Sequence, residues 1–274
     1  AVADSDFNAM ATVSQLSNVF TITPTAIEGA NTGTITFKAS DGINLASEIS
    51  TFTLSFITIV ENSRYTSLLV QSVGANNGVN NTFTDASSNS LAITTPGSFP
   101  QATTFSPYRA GGYSTYFDGA GDYIYTDNPL LNTEDFTIEC WVFCKDGATD
   151  KGVWDCHTSS SSTDGLTLTR ITGTTFRLWG TGQPVASSSI TITDTWVHVA
   201  AVRISGALTL FVNGISQGTA SFSTNISNNN GFVIGGGRYS PSQSPVAFVN
   251  AYIRDFRIIK GTGVYTSNFT PPTE

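Results

Sequence analysis

Apolar residues almost never recur at helical spacing in this 274-residue chain. Instead, short β-rich segments follow one another, each bounded by Gly, Asn, Asp or Pro. Early examples are VFTIT (Val19–Thr23), GTITFKA (Gly33–Ala39) and FTLSFITIV (Phe52–Val60). Later ones are STYF (Ser114–Phe117), FTIECWVFC (Phe136–Cys144), FRLW (Phe176–Trp179), WVHVAAVR (Trp196–Arg203), LTLFV (Leu208–Val212), FVIG (Phe232–Gly235) and AYIRDFRII (Ala251–Ile259). Many short strands separated by turn signals predict an all-β fold, an antiparallel sandwich. Only 12% of residues are charged, so the polar surface falls to Thr, Ser, Asn and Gly, which suits strands and turns.

A net charge of −8 with no basic patch excludes nucleic acid as a partner and suits a solvated extracellular or virion surface. The longest apolar run, Phe52–Val60, is too short to span a bilayer, so no membrane insertion is expected. The chain begins at Ala1 and is read as a fragment or a processed product of something longer.

A boundary is expected near Glu61–Tyr65, which divides the chain into residues 1–60 and 61–274. The first part is too short for a complete seven-stranded immunoglobulin-like sandwich. Its ASDG turn (Ala39–Gly42) and long final strand resemble the back half of immunoglobulin-like or cadherin-like repeats, here a partial repeat continuing upstream. Asp4, Asp6 and Asp41 are candidate calcium ligands there, with turn formation as the alternative.

Gly214-Ile-Ser216-Gln-Gly218 spells the G-x-S-x-G of a hydrolase nucleophile elbow. An elbow needs a strand, a strained turn and a helix whose amides support an oxyanion. The residues after Ser216, QGTASFSTNIS, read as another strand. Asn213-Gly214 is expected to form a type I′ hairpin turn, with Leu208, Leu210 and Val212 facing the core. His198 shares one face of its strand with Trp196, Ala200 and Val202, and no carboxylate in that hairpin can orient it. No catalytic set emerges.

Three cysteines cannot all pair. A hairpin through Lys145–Lys151 would bring Cys140 opposite Cys156 and leave Cys144 free. Cys140, Cys144, Cys156 and His157 make a zinc set on paper, but Cys156 and His157 point to opposite faces of a regular strand. Buried thiols are the expected outcome. Asn80, Asn225 and Asn268 begin N-x-S/T sequons, which matter only in a eukaryotic secretory host.

Taken in order, YFDGAGDYI (Tyr116–Ile124), FTIECWVF, WVHVAAVR, LTLFVNG (Leu208–Gly214), VIGGG (Val233–Gly237) and the closing AYIRDFRIIKGTGVYTSNFTPP resemble the laminin-G-like, concanavalin A-like jelly roll. The versions in bacteriophage virion proteins and bacterial surface proteins are the most similar, and Thr66–Thr94 resembles the lead-in such modules carry. The resemblance spans about Tyr65 to Glu274. It implies a concanavalin A-like core with Phe117, Ile138, Trp141, Val142, Trp196, Leu210, Ile253 and Phe256 inside. It also implies a calcium site at an acidic rim, for which Asp118 and Asp122 of the DGAGD turn are the candidates, with turn stabilisation as the alternative. No other cofactor is called for.

Glucanases share this fold and carry their carboxylates on one strand face through E-x-D-x-x-E. The nearest acidic run here is Glu134, Asp135 and Glu139, with the two glutamates five apart and therefore on opposite faces. The expected function is a non-enzymatic, surface-exposed structural and adhesion module of a larger virion protein, a tail fibre or capsid decoration, binding host-surface glycans. The alternative partners are other virion or bacterial cell-surface subunits, with several copies or a homo-oligomer in either case. Trp179, Trp154, Arg238 and Tyr239 are the candidate ligand-binding residues, each with a packing role as the alternative. The loops at Asp118–Asp122, Trp179–Pro184 and Gly235–Pro245 are the candidate recognition surface.

Overall fold

The computed structural model describes residues 2–3, 11–17, 19–24, 31–40, 45–56, 65–70, 78–79, 83–95, 101–108, 112–127, 131–145, 150–156, 165–172, 175–180, 183–188, 192–226, 231–237 and 245–273. Its contacts divide the chain into two units, Ala1–Ser63 and Arg64–Glu274. Among the described residues there is no α-helix.

The first unit holds β1 (Val2–Ala3), β2 (Ala11–Leu16), β3 (Val19–Pro24), β4 (Asn31–Ser40) and β5 (Leu45–Phe56). β1, β4 and β5 form one sheet, and β2 pairs with β3 in another. Ala11 and Ile35 are buried together, with Val13, Ile22 and Phe37 against them. The Phe20 and Phe37 rings meet edge to face with centroids 4.8 Å apart. Asp4, Asp6 and Asp41 lie outside the described residues.

The second unit comprises β6 (Thr66–Val70), β7 (Gly78–Val79), β8 (Ile93–Thr94), β9 (Gln101–Thr103), β10 (Ser114–Asp118), β11 (Ile124–Thr126), β12 (Phe136–Cys144), β13 (Lys151–Asp155), β14 (Leu166–Thr172) and β15 (Thr175–Gly180). It continues with β16 (Gln183–Ser187), β17 (Trp196–Ile204), β18 (Ala207–Val212), β19 (Ile215–Ser221), β20 (Phe232–Ile234) and β21 (Asn250–Lys260). These strands make two antiparallel sheets. A nine-stranded sheet runs β19-β18-β17-β12-β21-β10-β9-β7, with β6 also on β21, and a seven-stranded sheet runs β16-β15-β14-β13-β20-β11-β8.

Strand alternation builds the core between them. Ile138, Val142, Val197, Val199, Leu208, Leu210 and Val212 point inward from the larger sheet, and Val153, Leu168, Phe176 and Leu178 are buried in the same cluster. Phe117, Ile253 and Phe256 join them, as expected from sequence.

The hairpins follow turn chemistry. Ser205-Gly206 and Asn213-Gly214 both have positive φ at both residues, the type I′ geometry that matches strand twist. β21 carries a bulge against β12 between Arg254 and Arg257, where Asp255 has φ 50. The extra residue shifts the alternation, so Arg254 and Arg257, three apart, both pair on the outer side while Ile253, Phe256 and Ile258 stay in the core.

Two expectations are corrected. β12 and β13 lie in opposite sheets and form no hairpin, so Cys140 and Cys156 do not face each other across paired strands. All three thiols are buried and outside any disulfide, and burial pushes the Cys140 thiol well up. Trp141 and Trp196 are not core residues. They sit on neighbouring strands of one sheet, on its outer face, because the opposite parity of β12 and β17 supplies the inward aliphatic row.

Candidate functional site

Ser216 is exposed on β19, and its backbone N–H donates to Asn268 Oδ1 at 3.0 Å. β18 separates β19 from β17, so two strand spacings hold the serine's strand roughly 10 Å from that of His198. A strand, not a helix, carries Ser216, and the elbow geometry is absent.

The carboxylate missing from the His198 hairpin comes from the next strand over. His198 Nε2 lies 3.3 Å from Glu139 Oε2, and both side chains are buried. Arg257 Nε donates to Glu139 Oε1 at 2.6 Å and Tyr265 Oη donates to Oε2 at 2.8 Å. Burial alone would raise the pKa of the Glu139 carboxyl. The hydrogen bond from His198, the Arg257 charge and the Tyr265 hydroxyl outweigh it and hold the carboxyl down to about 2. Burial beside this anion pushes the Tyr265 phenol up. A carboxylate so committed has no proton to donate and no open face toward a substrate.

The chain after β21 covers this network. Gly261 N–H donates to Asp135 O, Val264 N–H to Thr137 Oγ1 and Phe269 N–H to Gly214 O. Tyr265 and Phe269 stack, with centroids 3.5 Å apart, on a patch formed by Ala200, Val202 and Phe211. Trp141 Nε1 donates to Pro272 O at 2.9 Å.

Beyond this cover the same outer face carries a row of rings on four adjacent strands. Register pairs Tyr116 of β10 with Tyr252 of β21, Tyr252 with Phe143 of β12, and Phe143 with Trp196 of β17. Successive centroids are 4.8, 6.0 and 5.6 Å apart. Phe105, itself exposed, rests against Phe143, Trp196 and Tyr252 at 4.9, 5.2 and 4.8 Å. All four rings of the row are partly solvent-exposed.

Polar groups rim the row. Lys145 Nζ lies 5.2 Å from the Tyr116 centroid and 5.7 Å from that of Tyr252. Asp118 pairs with Asn250 two positions beyond Tyr116 and Tyr252, and Lys145 N–H donates to Asn250 O. Among the described residues, Asn250 Oδ1 and Trp196 Nε1 have no hydrogen-bond partner. On the other side Arg254 donates to Asp255 Oδ2, Tyr108 Oη and Tyr113 O, and the Tyr108 hydroxyl donates to Asp255. Burial, then the Asp255 contact, pushes the Tyr108 phenol up to about 12. Such a surface can stack the apolar C–H faces of a sugar on its rings while the rim orients hydroxyls or charges.

Of the residues singled out from sequence, Trp154 and Trp179 fall elsewhere. Trp154 is fully buried against Phe232, with centroids 5.6 Å apart; a ring without exposed surface offers no platform, so that expectation is corrected. Trp179 is partly exposed on the outer face of the seven-stranded sheet, 4.6 Å from the Arg177 guanidinium, which pairs with Asp150 at 3.3 Å. Arg238, Tyr239 and His157 lie outside the described residues. β15 stands four strand spacings from β11, so Trp179 is about 19 Å from the strand that follows the DGAGD turn.

In that turn Asp118 is exposed and its Oδ1 accepts from Ala120 N–H at 2.7 Å. Asp122 is buried and its Oδ2 accepts from Asp118 N–H at 3.1 Å. Burial pushes the Asp122 carboxyl up. Calcium takes six to eight oxygens, and among the described residues no third acidic, histidine or cysteine side chain joins this pair. Both carboxylates act as turn acceptors.

The aromatic row is what reading the sequence missed. The signal lay in FTIECWVFC, where Glu139 shares its parity with Trp141 and Phe143, and a charged residue marks the face turned from the core.

Residues 118–262 match the family model described as the concanavalin A-like lectin/glucanases superfamily, Laminin_G_3. Among solved structures, the chain is similar to the binding domain of botulinum neurotoxin DC in complex with SialylT (TM-score 0.52, 17% identity, 72% of this chain and 48% of that one). It is also similar to the botulinum neurotoxin serotype D binding domain (TM-score 0.52, 14% identity, 73% and 49%). A third is domain 4 of AbnA, a GH43 extracellular arabinanase from Geobacillus stearothermophilus, in complex with arabinotriose (TM-score 0.51, 17% identity, 65% and 86%). The chain spans about half the length of the neurotoxin domains it matches. No curated protein sequence matches it.

Proposed function

The chain belongs to the concanavalin A-like lectin/glucanase superfamily, and from that premise we propose that it is a non-catalytic carbohydrate-binding module of a larger virion or cell-surface protein. The observation that carries this is the row Tyr116–Tyr252–Phe143–Trp196 with its rim of Asp118, Asn250 and Lys145. Rings aligned on neighbouring strands form a preformed platform that needs little ordering on binding. SialylT on one relative by fold and arabinotriose on another support a sugar as the ligand.

Hydrolysis is disfavoured by the acidic run itself. Glu134 precedes β12 and pairs with Lys260 at 3.4 Å, while Glu139 is spent on Arg257, His198 and Tyr265. Two carboxylates flanking a glycosidic bond need access to it, which Glu139 lacks. A second reading, contact with other protein subunits, is favoured by one observation: Leu16 and Val19, at the end of the β2–β3 hairpin, are 82% and 64% exposed.

A glycan array probed with the 274-residue chain tests the proposal. Binding should fall with Tyr252→Ala and Trp196→Ala and persist with Trp179→Ala. Absence of any bound glycan, or loss confined to Trp179→Ala, overturns it.

A further inference from the structure

Lys145 sits over two rings of the row. Its ammonium faces Tyr116 and Tyr252, and no ion pair among the described residues involves it. Among the described residues of this face, Arg254 is engaged with Asp255, Tyr108 and Tyr113, and Arg257 with Glu139. The exposed Asp118 carboxylate of the rim turns one oxygen to the amide of Ala120 inside its own turn.

Lys145 is thus a cation without an ion pair among the described residues, on a chain with 12 basic and 20 acidic residues. Cation–π contact holds it in place but leaves its three N–H donors available. An anionic group is what such a donor set binds most strongly.

Resting on the carbohydrate reading above, we infer that the aromatic row is selective for acidic glycans: the sugar ring stacks on Tyr116 and Tyr252, and its carboxylate or sulfate meets Lys145. The rings supply affinity common to neutral and acidic sugars, and the ammonium supplies the difference between them. Both acidic chemistries fit, since each presents oxygens to a compact cation rather than to the fixed fork of an arginine.

The test uses the full chain on matched probes: lactose, 3′-sialyllactose and 3′-sulfolactose, with a xylo-oligosaccharide and its glucuronic acid-bearing counterpart as a second set. Acidic members should bind roughly three- to tenfold tighter than their neutral partners, the range of one exposed charge-assisted contact. Lys145→Gln should erase that ratio by weakening acidic probes more than neutral ones, with thermal stability unchanged, and Lys145→Arg should keep it. Preference for sialylated or glucuronylated probes alone assigns the carboxylate, and preference for sulfated probes alone assigns the sulfate. Equal binding of acidic and neutral probes, or equal weakening of both by Lys145→Gln, overturns the selectivity and leaves the carbohydrate platform standing. Failure of every probe to bind overturns both.

Discussion

Glu139 and His198 come from paired strands, β12 and β17, and place a carboxylate oxygen 3.3 Å from an imidazole nitrogen under the cover of Tyr265. With Arg257 they form a buried polar network on the sheet face turned away from the core. Because the folded Glu139 carboxyl is held at about 2 against an ordinary value of 4.5, ionised Glu139 favours the native state. That contribution is fully present above about pH 5, shrinks as pH falls through 4.5, and is gone below 2. It amounts to about 3 kcal/mol. Urea unfolding at pH 7 and pH 3 should show the loss, and Glu139→Gln should flatten the difference between them. An unchanged pH dependence in the variant would show that the network does not carry it.

Ser216→Ala should leave no catalytic phenotype, since the serine is exposed on a strand without a base beside it. A fluorophosphonate probe should not label the chain. His198→Ala should lower stability by roughly 1–3 kcal/mol through loss of a buried partner of Glu139. Melting temperatures of the two variants, compared with the parent, check both halves.

Much of the fold was legible because strand alternation and turn residues are local. FTIECWVFC is β12 from end to end, and the Asn213-Gly214 turn has the expected positive φ values. What was not legible depends on which sheet a strand joins. Lys151–Asp155, five residues with a glycine among them, gives no sign that β13 crosses to the opposite sheet. Strands apolar on both faces, such as WVHVAAVR, leave the inward face ambiguous, and so Trp141 and Trp196 were placed inside. The bulge at Asp255 brings Arg257 to Glu139 without any glycine to announce it.

The two tryptophans of the seven-stranded sheet should respond oppositely. Trp154 is fully buried among core residues, so Trp154→Ala should destabilise by about 3–5 kcal/mol. Trp179 is partly exposed over Arg177, and Trp179→Ala should cost about 1 kcal/mol or less. Denaturant midpoints of the two variants measured together decide it. A large loss at Trp179 would mean that its ring belongs to the core.

Arg203 is buried and unusual in what it holds. Its guanidinium donates to the carbonyls of Asn132 at 2.8 Å and Thr224 at 2.9 Å, with Nε on Glu134 O at 2.8 Å, and it lies 4.6 Å from the Phe136 ring centroid. It therefore ties the loop before β12 to the loop after β19. Arg203→Met keeps the apolar stem but strands those carbonyls, and should cost roughly 3 kcal/mol or more. Hydrogen exchange should quicken first at Asn132 and Ile226, whose amides bond each other's carbonyls across these loops. Uniform quickening across the sandwich would instead mean a global loss of stability.

Gly214 and Gly206 provide a controlled pair for the C-terminal cover. Both occupy the second position of a type I′ turn, with φ of 74 and 78. A Cβ on Gly206 would meet nothing within 4 Å, whereas one on Gly214 would lie 1.8 Å from Phe269 O. Gly206→Ala should therefore cost only the backbone strain of a left-handed alanine, about 1 kcal/mol. Gly214→Ala carries the same strain and must also push the backbone at Phe269 aside, breaking the Phe269 N–H bond to Gly214 O and unseating the Tyr265–Phe269 stack. Its cost should exceed that of Gly206→Ala by about 1–3 kcal/mol, with near-ultraviolet circular dichroism changing only in the Gly214 variant. Equal losses in the two variants would show that the segment following β21 is held without this contact.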